Sequence, residues 1–134
     1  MIAIDTNVLV RLLVDDPNEI MQSQLARQLL IEQGSAWVSS IVLIETIWVL
    51  QSRYKLPKEE IISVIEKLTS HPRIQLENTA YTNEALTIYR IGNTGFSDCS
   101  ILNAAKNKQL ILHTFDKKLS RLQGAKLITN KDSR

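Results

Sequence analysis

The sequence predicts an α/β protein with three layers, α/β/α, around a central, mostly parallel sheet of four to five strands. Two observations carry this. Short apolar runs alternate along the chain with longer stretches of helical period, and that alternation is the signature of a parallel sheet covered by helices. The length, 134 residues without an internal repeat or a low-complexity tract, fits a single domain spanning residues 1–134.

The elements follow in order. Residues 2–4 read as a short buried strand, and Asp5 or Thr6 then caps a helix to about residue 13. Asp15-Asp16-Pro17 is a turn, because Pro17 cannot continue the helix. Residues 19–33 form an amphipathic helix with Ile20, Leu25, Leu29 and Leu30 inward, ended by Gly34. Residues 36–38 are the second strand. Ser39 or Ser40 caps a helix over about 41–55 that is apolar almost all round and is therefore expected to be central. Leu56-Pro57 breaks it, and Pro57 opens another helix to about residue 69. A strand at 74–76, a helix at 79–92 capped by Asn78, a loop at 93–95 and a helix at about 97–107 come next. Residues 109–114 form a strand with Leu110, Ile111 and Leu112 as its core. A helical turn from Asp116 to Ser120 and a fifth strand at 126–128 close the pattern.

Composition excludes several classes. With 44% hydrophobic and 22% charged residues the chain is an ordinary globular one. The longest apolar run, 41–50, is interrupted by Glu45 and Thr46 and falls short of the roughly 20 residues of a membrane span. The opening residues 1–5 lack the basic and apolar regions of a signal peptide. The single cysteine, Cys99, allows neither an internal disulfide nor a cysteine-cluster zinc site, and it suits a reducing cytoplasm. Net charge is only +2, but residues 1–103 carry −4 and residues 104–134 carry +6. That asymmetry is compatible with an anionic partner or with a solvated basic face.

Ligands of parallel sheets bind at the carboxyl ends of strands. Asp5 and Asp116 both follow apolar strands, and Asp98 sits in the first turn of a helix, so each can be a simple helix cap. Glu45 stands inside Ile41-Val42-Leu43-Ile44-Glu45-Thr46-Ile47-Trp48, where a buried carboxylate needs an ion pair, a caged cation or a hydrogen-bond partner. Gathered carboxylates repel one another unless a divalent ion neutralises them. Clustered carboxylate and water oxygens suit Mg²⁺ or Mn²⁺, and no paired-histidine spacing favours zinc.

These motifs together resemble the PIN-domain family, particularly the VapC-type toxins of toxin–antitoxin pairs. Ile4-Asp5-Thr6-Asn7-Val8-Leu9-Val10 resembles the family's first motif, Ser40-Ile41-Val42-Leu43-Ile44-Glu45 its second, Gly95-Phe96-Ser97-Asp98 its third and Thr114-Phe115-Asp116-Lys117-Lys118-Leu119 its fourth. Cys99 and Ser100 depart from the small apolar residues commoner there. The resemblance implies a PIN-like fold and a cytoplasmic metal-dependent endoribonuclease using Mg²⁺ or Mn²⁺. It would hydrolyse RNA phosphodiester bonds to 5′-phosphate and 3′-hydroxyl ends. Asp5, Glu45, Asp98 and Asp116 would be the catalytic and metal-holding acids, with Asn7 and Thr114 in support. The resemblance also implies a homodimer and a small antitoxin protein as partner. Exposed apolar residues on the second and fourth helices would be consistent with an interface.

Lys117, Lys118, Arg121 and Arg11 are candidate contacts to RNA phosphates. Trp37 and Trp48 fall in apolar runs and are expected in the core. His71 and His113 are expected to be structural, and Cys99 a small buried residue. A haloacid-dehalogenase phosphatase would need an acid where Asn7 stands, and a receiver module would need adjacent acids after the first strand. The remaining alternative is a PIN-like scaffold that binds RNA or protein without cleaving.

Overall fold

The computed structural model describes residues 1–130; Lys131, Asp132 and Arg134, counted in the basic C-terminal stretch, lie outside them. The chain divides into two compact units, Met1–Thr79 and Ala80–Arg134.

The first unit contains β1 (Ile2–Ala3), α1 (Thr6–Leu13), α2 (Ile20–Gln33), β2 (Ala36–Val38), α3 (Ser40–Ser52), α4 (Lys58–Ser70) and β3 (Ile74–Leu76). Its strands are parallel in the order β1-β2-β3, with Ile2 opposite Ala36 and Val38 opposite Leu76. The ladder runs past the strand ends, since the Ile4 amide donates to the Trp37 carbonyl at 3.2 Å and Glu77 to Val38 at 2.8 Å. Ala36 and Val38 are fully buried, as β2 is the middle strand. Leu9, Val10, Leu43, Ile47, Leu50, Ile61, Ile65 and Leu68 fill the core around it.

Local chemistry explains the helix ends. The Asp5 side chain caps α1 and Ser39 caps α3, accepting the Val42 amide at 3.2 Å. The Ser40 amide donates to Glu77 Oε1 at 2.9 Å, which satisfies a further donor at the start of α3. Gly34, at φ +85°, ends α2. Helix α3 stops at Ser52 rather than near residue 55, and Lys55 takes the left-handed φ of +58° before Pro57.

Side-chain placement in this unit differs from expectation in three respects. Helix α2 buries Ser23 and Ala26, while Ile20 and Leu25 are 58% and 57% exposed and Leu29 is also outward. Of the four expected inward residues only Leu30 is half-buried. Small side chains let α2 approach α1 closely, and Arg11 of α1 reaches across to Gln22 and Glu19. Helix α3 uses the face of Leu43, Thr46, Ile47 and Leu50, which turns Ile41, Glu45 and Trp48 outward at the spacing of one helical face. Trp48 is therefore 65% exposed instead of a core residue, whereas Trp37 is half-buried. Helix α4 puts Ile61, Ile65 and Leu68 inside, so of the two helices expected to expose apolar residues α2 does and α4 does not.

The second unit contains α5 (Thr79–Ile91), whose first residue lies at the division, then α6 (Phe96–Asn107), β4 (Leu112–Thr114), α7 (Lys117–Ser120) and β5 (Ala125–Leu127). Strands β4 and β5 are parallel, with Leu112 opposite Ala125 and Thr114 opposite Leu127. The five strands among the described residues thus pair in parallel, as a ladder of three and a ladder of two. The core holds Leu86, Tyr89, Phe96, Cys99, Leu102 and Leu119, and the rings of Tyr89 and Phe96 meet edge-on at 5.8 Å. Leu110 and Ile111, expected in the fourth strand, lie before it and are exposed. The chain turns at Gln109, with φ +58°, and the ladder starts only at Leu112. The parallel α/β class and the alternation of its elements are those the sequence predicts.

Candidate active site

Asp5 occupies the step from β1 into α1. Its backbone is extended, and Oδ1 accepts the Val8 amide at 3.1 Å as the α1 cap. The side chain is exposed, and Oδ2 has no hydrogen bond among the described residues. The apolar strand and the cap requirement place a carboxylate here. One oxygen is used by the helix and the other faces outward, available to a ligand.

Glu45 comes from the middle of α3. Its carboxylate was expected among apolar side chains, but it lies on the exposed face of the helix. No buried arginine or lysine pairs with it among the described residues; the donor that reaches it is the Thr6 hydroxyl, at 3.4 Å from Oε2. Thr6 follows Asp5 directly, so the start of α1, which Asp5 caps, meets the face of α3 that carries Glu45. The sequence offers Thr6 as an alternative cap of the first helix; the cap is Asp5, and the Thr6 hydroxyl serves Glu45 instead.

Asp98 lies in the first turn of α6, half-buried, and Oδ2 accepts the Thr94 hydroxyl at 2.8 Å. Thr94 is a second partner that the motif reading left in a loop. Asp116 is the cap of α7, its Oδ1 accepting the Leu119 amide at 3.0 Å. The Asp116 amide in turn donates to Thr114 Oγ1 at 3.0 Å, so Thr114 fixes the backbone that carries the acid. Lys117, Lys118 and Arg121 are exposed around it, without an ion pair among the described residues.

Asn7 is exposed at the start of α1. Arg11 has a different setting from the RNA contact expected of it. It is 6% exposed, and its guanidinium is bound by Gln22 Oε1 at 2.8 Å, the Tyr54 hydroxyl at 3.2 Å and Glu19 at 3.7 Å. It is a structural tie between α1, α2 and the residues after α3. Tyr54 also donates to Asp16 at 2.9 Å. With the Asn18 amide as the larger cause and Tyr54 next, Asp16 is held below the ordinary carboxylate range.

The donors at Asp5, Thr6 and Glu45 are all oxygens, the set that Mg²⁺ or Mn²⁺ prefers. Among the described residues no three His, Cys, Asp or Glu side chains form a group able to hold a metal ion alone. Mg²⁺ is commonly held by one or two carboxylates with waters and substrate phosphates, so a pair of acids fits its chemistry. Among the described residues no helix is long and apolar enough to cross a membrane. Curated proteins provide no match to the chain. The family model for the PIN domain matches residues 2–125, across both units, and the chain belongs to the PIN domain family, whose members are generally nucleases.

Proposed function

We propose that the protein is a divalent-metal-dependent endoribonuclease that hydrolyses RNA phosphodiester bonds to 5′-phosphate and 3′-hydroxyl ends. The observation that carries this reading is the hydrogen bond from Thr6, the residue after Asp5, to Glu45, with both carboxylates exposed and without a cationic partner among the described residues. Asp98 and Asp116 complete the acid set in the proposal.

When bound, Mg²⁺ or Mn²⁺ would supply polarisation of the scissile phosphate and a lowered pKa for an attacking water. The chain's own part is to hold acceptors in place. The Val8 amide fixes one oxygen of Asp5 and leaves the other to face the cation. Thr6 orients Glu45, Thr94 orients Asp98, and Thr114 sets the backbone of Asp116. Such oriented second partners matter because they fix the ligand oxygens before the cation arrives. Lys117, Lys118 and Arg121 would neutralise RNA phosphates. Asn7, two residues after Asp5, would support the first acid.

The proposal extends to a cytoplasmic toxin restrained by a small antitoxin protein, and to a homodimer. Exposed Ile20, Met21 and Ile31 on α2, and Ile41 and Trp48 on α3, offer apolar surface for protein partners.

The test is cleavage of single-stranded and structured RNA by the purified chain. Activity is expected with Mg²⁺ or Mn²⁺ and not with chelator. Asp5→Asn or Glu45→Gln should lower the rate by about 10²–10³-fold, the scale of losing one group that stabilises transition-state charge. RNA retention without cleavage would favour the binding-scaffold alternative, and equal cleavage by both variants would mark a contaminant.

A further inference from the structure

Beside Asp5, a groove of about 290 Å³ opens between α1 and α2 of the first unit. Its size lies at the lower end of small-ligand sites, which run to ~300–1,000 Å³, and suits a single ring system. The walls are aliphatic, from Val8 on one side and Leu25 and Leu29 on the other. Two amides stand among them. Asn7 has no side-chain hydrogen bond among the described residues, so it offers both a donor and an acceptor. Gln22 is oriented: its Oε1 takes the Arg11 Nε–H at 2.8 Å, which leaves its Nε2 donors without a partner among the described residues. Arg11 is itself pinned by Tyr54 and Glu19, so the Gln22 amide is held before any ligand arrives.

Aliphatic walls with one oriented amide and one unengaged amide match a flat ring that is apolar on its faces and polar at its edge. Side-chain amides read nucleobase edges by hydrogen bonds. An anionic ring is disfavoured, because Asp5 lines the same groove and Arg11 already pairs with Glu19. A leucine or methionine from a protein partner would fill the walls and leave both amides unanswered.

We infer that this groove is a nucleobase subsite, which seats the base of the nucleotide whose phosphate is presented to Asp5 and so contributes to the choice of cleavage position. The inference rests on the nuclease reading for its link to cleavage. Base binding itself is independent of that link.

The experiment uses the full chain in chelator, so that cleavage plays no part. Methyl-labelled protein is titrated with AMP, UMP and ribose 5-phosphate. Saturable shifts of the Val8, Leu25 and Leu29 methyls are expected with at least one mononucleotide and not with ribose 5-phosphate. Gln22→Glu keeps an acceptor for Arg11 but removes the amide donors, and it should weaken that binding by roughly ten-fold, the scale of one base-edge contact. The methyl spectrum of the variant reports whether it is folded. Equal shifts with ribose 5-phosphate, unchanged affinity in Gln22→Glu, or methyls that respond only to rising protein concentration would each overturn the subsite, the last because a second copy then covers the groove. Nucleotide-dependent shifts in a chain that cuts no RNA would sink the nuclease reading and leave the subsite standing. Metal-dependent cleavage with silent methyls would do the reverse.

Discussion

Thr6 shows what one hydroxyl contributes. It adds no charge, yet it is the donor that reaches Glu45 from the residue next to Asp5. Thr6→Val keeps shape and removes the donor. We expect a fall in metal-dependent cleavage of about 10–100-fold, the scale of losing an outer partner of a ligand, with thermal stability little changed; an unaltered rate would show that Glu45 is oriented without it. Tyr54 acts on charge elsewhere in the first unit. The Asn18 amide first, and then the Tyr54 hydroxyl, hold the Asp16 carboxyl low, with Arg11 and Arg53 adding smaller attractions. A carboxyl depressed in the folded state contributes stability above its unfolded pKa and loses that contribution as pH falls through the folded value. Tyr54→Phe should therefore move the Asp16 titration upward toward the ordinary range, while the Asn18 contact keeps it from returning fully. A carboxyl-detected NMR titration reads this directly, and an unmoved Asp16 curve would show that the phenol plays no part.

At the scale of elements, the sequence was most informative where one residue settles a boundary. Gly34 ends α2, Asp5 and Ser39 cap α1 and α3, and Asp116 opens α7. Ser39→Ala removes the acceptor for the Val42 amide and should cost about 1 kcal/mol in thermal or denaturant unfolding, as cap losses do. The Ser40 amide keeps its separate bond to Glu77, so the start of α3 should fray and not dissolve. Faces were less legible than ends. Periodicity says that α3 is apolar all round, but it cannot say which side the core will use, and the chosen side leaves Glu45 and Trp48 outward. In α2 the leucines suggested the inward face, whereas close approach to α1 selected Ser23 and Ala26. Packing distance decided that case, and no spacing rule records distance. Leu110 and Ile111 misled similarly: an apolar run marks strand material, but the pairing with β5 begins at Leu112.

At the scale of the molecule, the order of strands and helices and the parallel pairing were readable, and so were the acids that follow strands. The partners of those acids were not. Thr6 and Thr94 are common residues that become meaningful only when coordinates put their hydroxyls on Glu45 and Asp98. Arg11 illustrates the opposite error, since a basic residue on the helix after Asp5 looked free to meet phosphate and is tied internally instead. In the second unit Glu84 is held low by the amides of Asn103 and then Asn107, a network within α5 and α6 that acid should weaken as this carboxylate takes up a proton.

Cys99 is wholly enclosed in α6, and the chain has no other thiol. Chemical labelling therefore becomes a clock for one half of the protein. A thiol reagent in native buffer can react only when the structure that encloses Cys99 opens. Modification should be slow and follow the opening equilibrium of Ala80–Arg134, while hydrogen exchange at Leu43 and Ile47 times the other half independently. Matching opening free energies would show that the halves unfold as one cooperative body, and faster opening at Cys99 would reveal a chain that loosens from its C-terminal half first.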